Sequence, residues 1–504
     1  MPRPLLAAAR GLLLVATLAA CVRVRVDRTS PAPASAVASL RASIDSLADA
    51  PVFRNAHWGI LIVDPERGDT LYSRNAGKLF MPASNQKLLT GSVALATLGP
   101  DYRYRTIIGT TGTTRGGVLE GDLVVMGAGD PSISDAMRAD AFQFLRGLAD
   151  SLRARGITRI DGRVRSGRDA FPDAPLGFGW AWDDLDYAYS AGVDELMFNE
   201  GFGDVIVQAG PNVGDSARVT LRAPGSFAIR NEVRTVPARA GNGPSATRVR
   251  WEGVVDGRRG TLRNELLLRG TIALGDVDTV SAAFRDQNGA FLDVLTAALR
   301  DGGIALTDPE APHDSTETAQ PLFTITSPPL REILARMEKP SQNQIAEDLF
   351  KTLGLEKTGV GSADSGRAVV ERQLVAWGAQ PTGAAVRDGS GLSRHDYVTP
   401  ETIVTVLDAM RKHEHFRIFY DALPIAGVDG TIRSRMRGTP AENNVHAKTG
   451  FVDKARSLSG YVTTADGRIL LFSFLANNWT TPTREVERVQ DAIAVRLAGL
   501  RLDR

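Results

Sequence analysis

Three short clusters of residues in this chain could together cut an acyl bond. Ser84 and Lys87 stand three positions apart in Ser84-Asn85-Gln86-Lys87. On a helix that spacing puts both side chains on one face. A serine hydroxyl is a weak nucleophile and needs an adjacent base. Lysine can be that base only when neutral, which requires burial or a second cation nearby. The chain favours arginine: only eight of its 59 basic residues are Lys, and of these only Lys87 has a Ser three positions before it. Taken alone, the tetrapeptide reads more readily as a helix cap followed by a surface lysine.

The second cluster is Ser341-Gln342-Asn343. Its serine could pass a proton to a leaving amine, and its asparagine could hydrogen-bond a substrate amide. The same residues, after Lys339-Pro340, also suit a helix N-cap. Ser73-Arg74-Asn75 repeats the pattern but precedes Ser84 and falls on a hairpin. The third cluster is Lys448-Thr449-Gly450. A cation and a hydroxyl suit a terminal carboxylate, and glycine lets a ligand backbone come close. A second copy, Lys357-Thr358-Gly359, follows a helix and reads as that helix's C-terminus with a glycine stop. The Lys448 copy leads into a C-terminal hairpin and is the one expected at the site.

The surrounding elements must hold these clusters together. A helix over Ser39–Ala48 is expected, then a hairpin of His57–Val63 and Thr70–Ser73 turning at Pro65-Glu66-Arg67-Gly68. Pro82 and Ser84 open a helix with Leu88, Leu89, Val93, Leu95 and Leu98 facing a core. From about Asp101 to Phe284 the texture changes to short strands rich in Gly and Arg, interrupted by a helix at Ala139–Arg155. Long helices then return at 290–300, 329–337, 341–353, 365–377 and 400–411. The chain closes with strands 459–463 and 468–475 around Asp466-Gly467, and a helix at 483–498. This pattern implies an α/β domain whose antiparallel sheet is built from both chain ends, carrying a strand-rich insertion. The expected division is 39–103 with 285–504 for the catalytic domain and 104–284 for the inserted strand-rich domains.

S-x-x-K, a serine-containing triplet and K-T-G in this order mark serine β-lactamases and penicillin-binding proteins. Further stretches sharpen the likeness: Gly129-Asp130-Pro131, Gly179-Trp180-Ala181-Trp182-Asp183-Asp184, Asp388-Gly389-Ser390-Gly391-Leu392-Ser393-Arg394, and Leu423-Pro424-Ile425-Ala426-Gly427 with Gly430-Thr431. From about Ser39 onward the chain resembles the D-alanyl-D-alanine carboxypeptidase/endopeptidase family, the class C low-molecular-mass penicillin-binding proteins. The resemblance implies a penicillin-binding-protein/serine β-lactamase-like transpeptidase domain, an antiparallel sheet flanked by helices, with the long insertion forming extra domains. It implies a serine-type peptidase acting on peptidoglycan stem peptides through a Ser84 acyl-enzyme and inhibited covalently by penicillins. Ser84, Lys87, Ser341 and Lys448 would be catalytic. Asn343, Thr449, Gly450 and Phe451 would bind substrate, with the N–H groups of Ser84 and Phe451 forming an oxyanion hole. Phe451 departs from the family, which usually has Thr or Ser there.

The N-terminus reads as an export signal. Arg3 and Arg10 precede an apolar run, Gly11 to Ala20, too short to span a bilayer. Leu18-Ala19-Ala20-Cys21 resembles a bacterial lipobox and contains the chain's one cysteine. The expectation is a signal peptide over 1–21, a lipid anchor on Cys21, a tether over 22–38, and a periplasmic location. An ordinary signal peptide cut near Ala19 or Ala20, with Cys21 incidental, is the plainer alternative.

Other chemistries find little support in the sequence. The formal net charge is +1 and the arginines are scattered, which argues against nucleic acid. His413-Glu414-His415 lacks the i, i+4 spacing of a zinc helix, and no metal or cofactor is expected. His446 reads as a strand residue. A serine β-lactamase shares the three clusters but usually lacks such an insertion. A non-catalytic peptidoglycan-binding scaffold would have lost a motif residue, and all are present.

Overall fold

The computed structural model describes residues 33–167, 169–238, 246–254, 264–307 and 319–502. Five strands form the central sheet: β1 (His57–Asp64), β2 (Asp69–Arg74), β3 (His446–Val452), β4 (Ala455–Thr463) and β5 (Ile469–Asn477). Their order is β3-β4-β5-β1-β2, and every neighbouring pair is antiparallel. Both chain ends therefore share one sheet, as the hairpins at either end imply.

The central strands are apolar on both faces because both faces are covered. Along β5, Leu470, Phe472, Phe474 and Ala476 enter one core, and Leu471 and Leu475 enter the other. This is the two-residue alternation of a strand between two layers. The first layer holds α1 (Pro33–Ala48) and α6 (Thr483–Gly499); the second holds α2 (Gln86–Leu98), α3 (Leu330–Glu338), α4 (Asn343–Thr358) and α5 (Pro400–Lys412). Helix α1 starts earlier than expected, so residues 33–38 are helix rather than tether. A proline is tolerated in a first helical turn, and Leu40, Ile44 and Ala48 give α1 a buried stripe four residues apart.

The rival Lys357-Thr358-Gly359 lies at the end of α4. Gly359 adopts φ 82°, the left-handed stop of that helix.

The insertion begins and ends at one junction. Tyr104 N–H donates to Ser327 Oγ at 2.9 Å, and Ser327 N–H donates to Tyr104 O at 3.1 Å. Beyond it, strand Arg105–Thr110 pairs with Gln320–Thr326. The inserted body thus runs further along the chain than residue 284. The helix Gln287–Asp301 buries Leu295 and Leu299 in one cluster with Leu145 and Leu148 of the helix Ala141–Arg153. Its apolar face is spent inside the insertion. Among the described residues, the strands of the insertion form two three-stranded and two four-stranded sheets, one of the latter containing the pair Arg105–Thr110 and Gln320–Thr326.

Among the described residues, no helix is long and apolar enough to cross a membrane. The expected signal peptide and Cys21 lie outside the described residues.

Candidate active site

Ser84 occupies a 3-10 turn, Ala83–Asn85, that runs directly into α2. Ala83 takes φ 48°, an uncommon conformation for a residue with a Cβ. Two glycines allow the backbone to pass there. A Cβ on Gly391 would lie 1.8 Å from Ala83 O, and one on Gly450 would lie 2.6 Å from Pro82 O and 2.9 Å from Ser84 N. Ser457 Oγ on β4 donates to Pro82 O at 2.7 Å. The Ser84 turn is thus clamped against the edge strand β3.

Lys87 lies one helical turn on and is fully buried. Its Nζ donates to Ser84 Oγ at 3.0 Å, Asn343 Oδ1 at 2.6 Å and Ser390 O at 2.7 Å. Burial lowers its ammonium to about 8, against the pull of Glu338, Asp388, Glu347 and Asp396. A lysine with a lowered pKa and a serine hydroxyl in reach meet the two requirements of a general base.

Ser341 falls in the bend between α3 and α4, at φ 68°. It does not cap α4, which begins at Asn343. Gln342 is the cap, its side chain accepting from Ile345 N–H at 3.1 Å. The Ser341 hydroxyl instead accepts from Lys448 Nζ at 2.8 Å. Lys339 fixes the bend, donating to Leu423 O and Asp429 Oδ2, both at 2.7 Å.

Asn343 ties three parts of the molecule together. Its Oδ1 accepts from Lys87, and its Nδ2 donates to Tyr189 O of the insertion at 2.7 Å. The insertion therefore forms part of the wall of the site. Trp180 makes a second link, donating from Nε1 to Asp388 Oδ2 at 2.9 Å.

Lys448 and Thr449 lie on β3, and both are buried. Asn85 Nδ2 holds the strand by donating to Lys448 O at 2.8 Å. Burial lowers the Lys448 ammonium to about 7, aided by repulsion from Lys87 and opposed by Glu338. Thr449 Oγ1 shares a 2.7 Å hydrogen bond with Thr431 Oγ1. Phe451 stands at the rim, 53 % exposed, with the Arg456 guanidinium 5.5 Å from its ring centre. His446 is a buried strand residue stacked on Tyr420, with ring centres 3.8 Å apart.

Residues of all three clusters line one groove of about 730 Å³, and Lys87 and Lys448 are buried beside it, each hydrogen-bonded to a lining serine. Ser84, Ser341, Asn343, Thr449, Gly450 and Phe451 line it with Asp183, Asp184 and Tyr189 from the insertion. Three contributors had no role in the sequence reading. Asn85 hides inside the S-x-x-K spacer, Ser390 acts through a carbonyl that any residue carries, and Thr431 sits on a single 3-10 turn, Gly430–Ile432. The loop that supplies Ser390 O is itself held from inside. Glu347 accepts the N–H groups of Gly389 and Ser390, and Asp388 accepts those of Gly391 and Ser393.

With this geometry in place, the relatives are informative. A D-alanyl-D-alanine carboxypeptidase of Actinomadura sp. (strain R39) is 34% identical, over 93% of this chain and 87% of its own. The D-alanyl-D-alanine carboxypeptidase DacB of Haemophilus influenzae is 26% identical, over 84% of this chain and 86% of its own. In fold, the crystal structure of penicillin binding protein 4 from Haemophilus influenzae is similar, with a TM-score of 0.74 at 24% identity. That match covers 89% of this chain and 98% of the other. The profile of the D-Ala-D-Ala carboxypeptidase 3 (S13) family matches residues 40–500, and the chain belongs to that family.

Proposed function

We propose that Ser84, Lys87, Ser341 and Lys448 carry out the chemistry of a serine-type D-alanyl-D-alanine carboxypeptidase on peptidoglycan stem peptides. The observation that carries this reading is the meeting of the three clusters in one groove, with Lys87 within hydrogen-bond reach of Ser84.

Ser84 Oγ attacks the carbonyl of the penultimate D-alanine while neutral Lys87 takes its proton. The Ser84 and Phe451 N–H groups stabilise the oxyanion; losing one such donor typically costs roughly 100- to 1,000-fold in rate. Ser341 passes its proton to the departing amine and takes one from the Lys448 ammonium beside it. Lys448 and Thr449 recognise the terminal carboxylate, and Asn343 orients the peptide. Water then hydrolyses the acyl-enzyme. Penicillins enter the same path as covalent inhibitors, and a similar fold from Haemophilus influenzae has been crystallised with a novel β-lactam. In this reading residues 33–104 and 327–502 make the catalytic domain and 105–326 the insertion.

The substrate lies outside the cytoplasm, so the enzyme works as an exported protein. Cys21 would serve as its lipid anchor; a Cys21→Ala variant that still incorporates labelled fatty acid would contradict that.

Mass spectrometry of muropeptides incubated with the purified protein tests the activity. Loss of one alanine from pentapeptides is expected. Conversion of crosslinked dimers to monomers would show endopeptidase activity at the same serine. Unchanged muropeptides under conditions where penicillin is bound would refute the peptidase assignment.

A further inference from the structure

Glu338 is the last residue of α3, three positions before Ser341. Its side chain is fully buried, and neither carboxylate oxygen has a hydrogen-bond partner. It rests on α2 at Gly91, where a Cβ would come within 2.8 Å of Glu338 Oε1. Gly91 is one helical turn beyond Lys87, on the same face. The charges that act on Glu338 are Lys448 and Lys87, which draw it down while burial pushes it up to about 7. The mechanism above gives this carboxylate no part. An unpaired carboxylate in a dry interior is costly unless a charge compensates it.

We propose that Glu338 is a positioning residue that fixes the number of ammonium groups shared by Lys87 and Lys448 at one. The inference rests on the assignment of those lysines made above. Two lysines and one carboxylate enclosed together carry no net charge when one lysine is protonated and Glu338 is ionised, and the pull of the lysines on Glu338 favours that ion pair. One lysine is then cationic for carboxylate recognition, and the other is neutral as a base. The carboxylate of the bound peptide draws the proton onto Lys448, leaving Lys87 neutral; one proton leaves Lys87 and one arrives on Lys448. The remaining charges are distributed around this set. Asp388, Glu347 and Asp396 act on Lys87 from the loop and from α4, and Arg456 acts on Lys448 from β4. Burial raises Glu347 to about 8 and Asp396 well above the usual carboxylate range, which weakens both as counterions.

The test is the pH profile of acylation by a fluorescent penicillin, for the parent, Glu338→Gln and Glu338→Asp. Removing the negative charge lowers both lysines, so both limbs of the Gln profile should move to lower pH by about one unit. Binding of the penicillin carboxylate should weaken about tenfold, and Glu338→Asp should restore most of both. A purely structural role would lower amplitude without moving the limbs. A folded Glu338→Gln protein whose profile overlays that of the parent overturns the inference. If that variant does not fold, NMR of the parent labelled with ¹³Cε-lysine decides. One of the two fully buried lysines should be neutral and the other cationic at pH about 7.5; both cationic or both neutral overturns it. Labelling that persists without Ser84 would instead overturn the underlying assignment, so the two failures are distinguishable.

Discussion

Lys448 Nζ lies 2.8 Å from Ser341 Oγ, across 107 residues of sequence. That contact joins the edge strand β3 to the bend before α4. It places a hydroxyl between a cation and the groove that holds Ser84. A buried charged group left without its partner is costly, and charge-assisted bonds are the strong ones. Lys448→Ala should therefore lower kcat/KM on peptides ending in a free carboxylate by roughly 10- to 100-fold. The loss should be much smaller on an amidated analogue. Equal losses on both would remove Lys448 from carboxylate recognition.

The two lysines predict the pH dependence. In the proposed mechanism Lys87 acts neutral, and its neutral fraction grows as pH rises through about 8. Lys448 acts cationic, and its charged fraction shrinks as pH rises through about 7. The productive form has Lys87 neutral and Lys448 charged, and it is a minority at every pH. The kcat/KM profile should be a bell with its top near pH 7.5, roughly midway between the two values. Bound carboxylate raises Lys448, so the basic limb of kcat should lie above that of kcat/KM. A kcat/KM that is flat from pH 6 to 9, a range of roughly three units around these values, would contradict both roles.

Asn343 Oδ1 is 2.6 Å from Lys87 Nζ. Asn343→Asp would put an anion there and hold the lysine protonated. Acylation near neutral pH should fall about tenfold or more, because fewer molecules hold Lys87 neutral. An unchanged rate would contradict direct coupling of Asn343 to the base.

Phe451 contributes its N–H to the proposed oxyanion hole and its ring to the rim. Phe451→Thr should keep penicillin acylation within about tenfold, because the backbone donor stays. Stability should change by only about 0.5 kcal/mol, as is usual at exposed positions. The ratio of rates on different peptides and β-lactams should change. Unchanged ratios would show that the rim ring has no part in selectivity.

Gly391→Ala should damage the Ser84 turn from outside the motif. Gly391 has φ 82°, and the added methyl would overlap Ala83 O. A cost of about 3 kcal/mol is expected from backbone strain and overpacking. Thermal unfolding and acylation should both suffer. A variant as stable and active as the parent would show that the turn tolerates displacement.

Much of the site was legible because its chemistry is written in short spacings. Ser84 and Lys87 are a helical i, i+3 pair, and Gly359 is recognisable as a helix stop. The hairpins at both ends gave the sheet, since period-two apolar runs flanked by turn residues need little context. What could not be read depends on contacts between distant segments. Ser390 acts through a backbone carbonyl, and no side-chain pattern announces that. Ser341 looked like a cap because the sequence cannot show that Gln342 takes that duty and turns Ser341 toward Lys448. The end of the insertion was misplaced because Gln287–Asp301 has an apolar face that would suit either core. Glu338 carries no signal in the sequence, since its burial against Gly91 depends on how two distant helices pack.

The most direct test is covalent labelling of the Ser84→Ala variant by a fluorescent penicillin, read by gel and intact mass. The parent should carry one covalent adduct on Ser84, and the folded Ser84→Ala protein should carry none. Full labelling of that variant would contradict Ser84 as the nucleophile and, with it, the roles assigned to Lys87, Ser341 and Lys448.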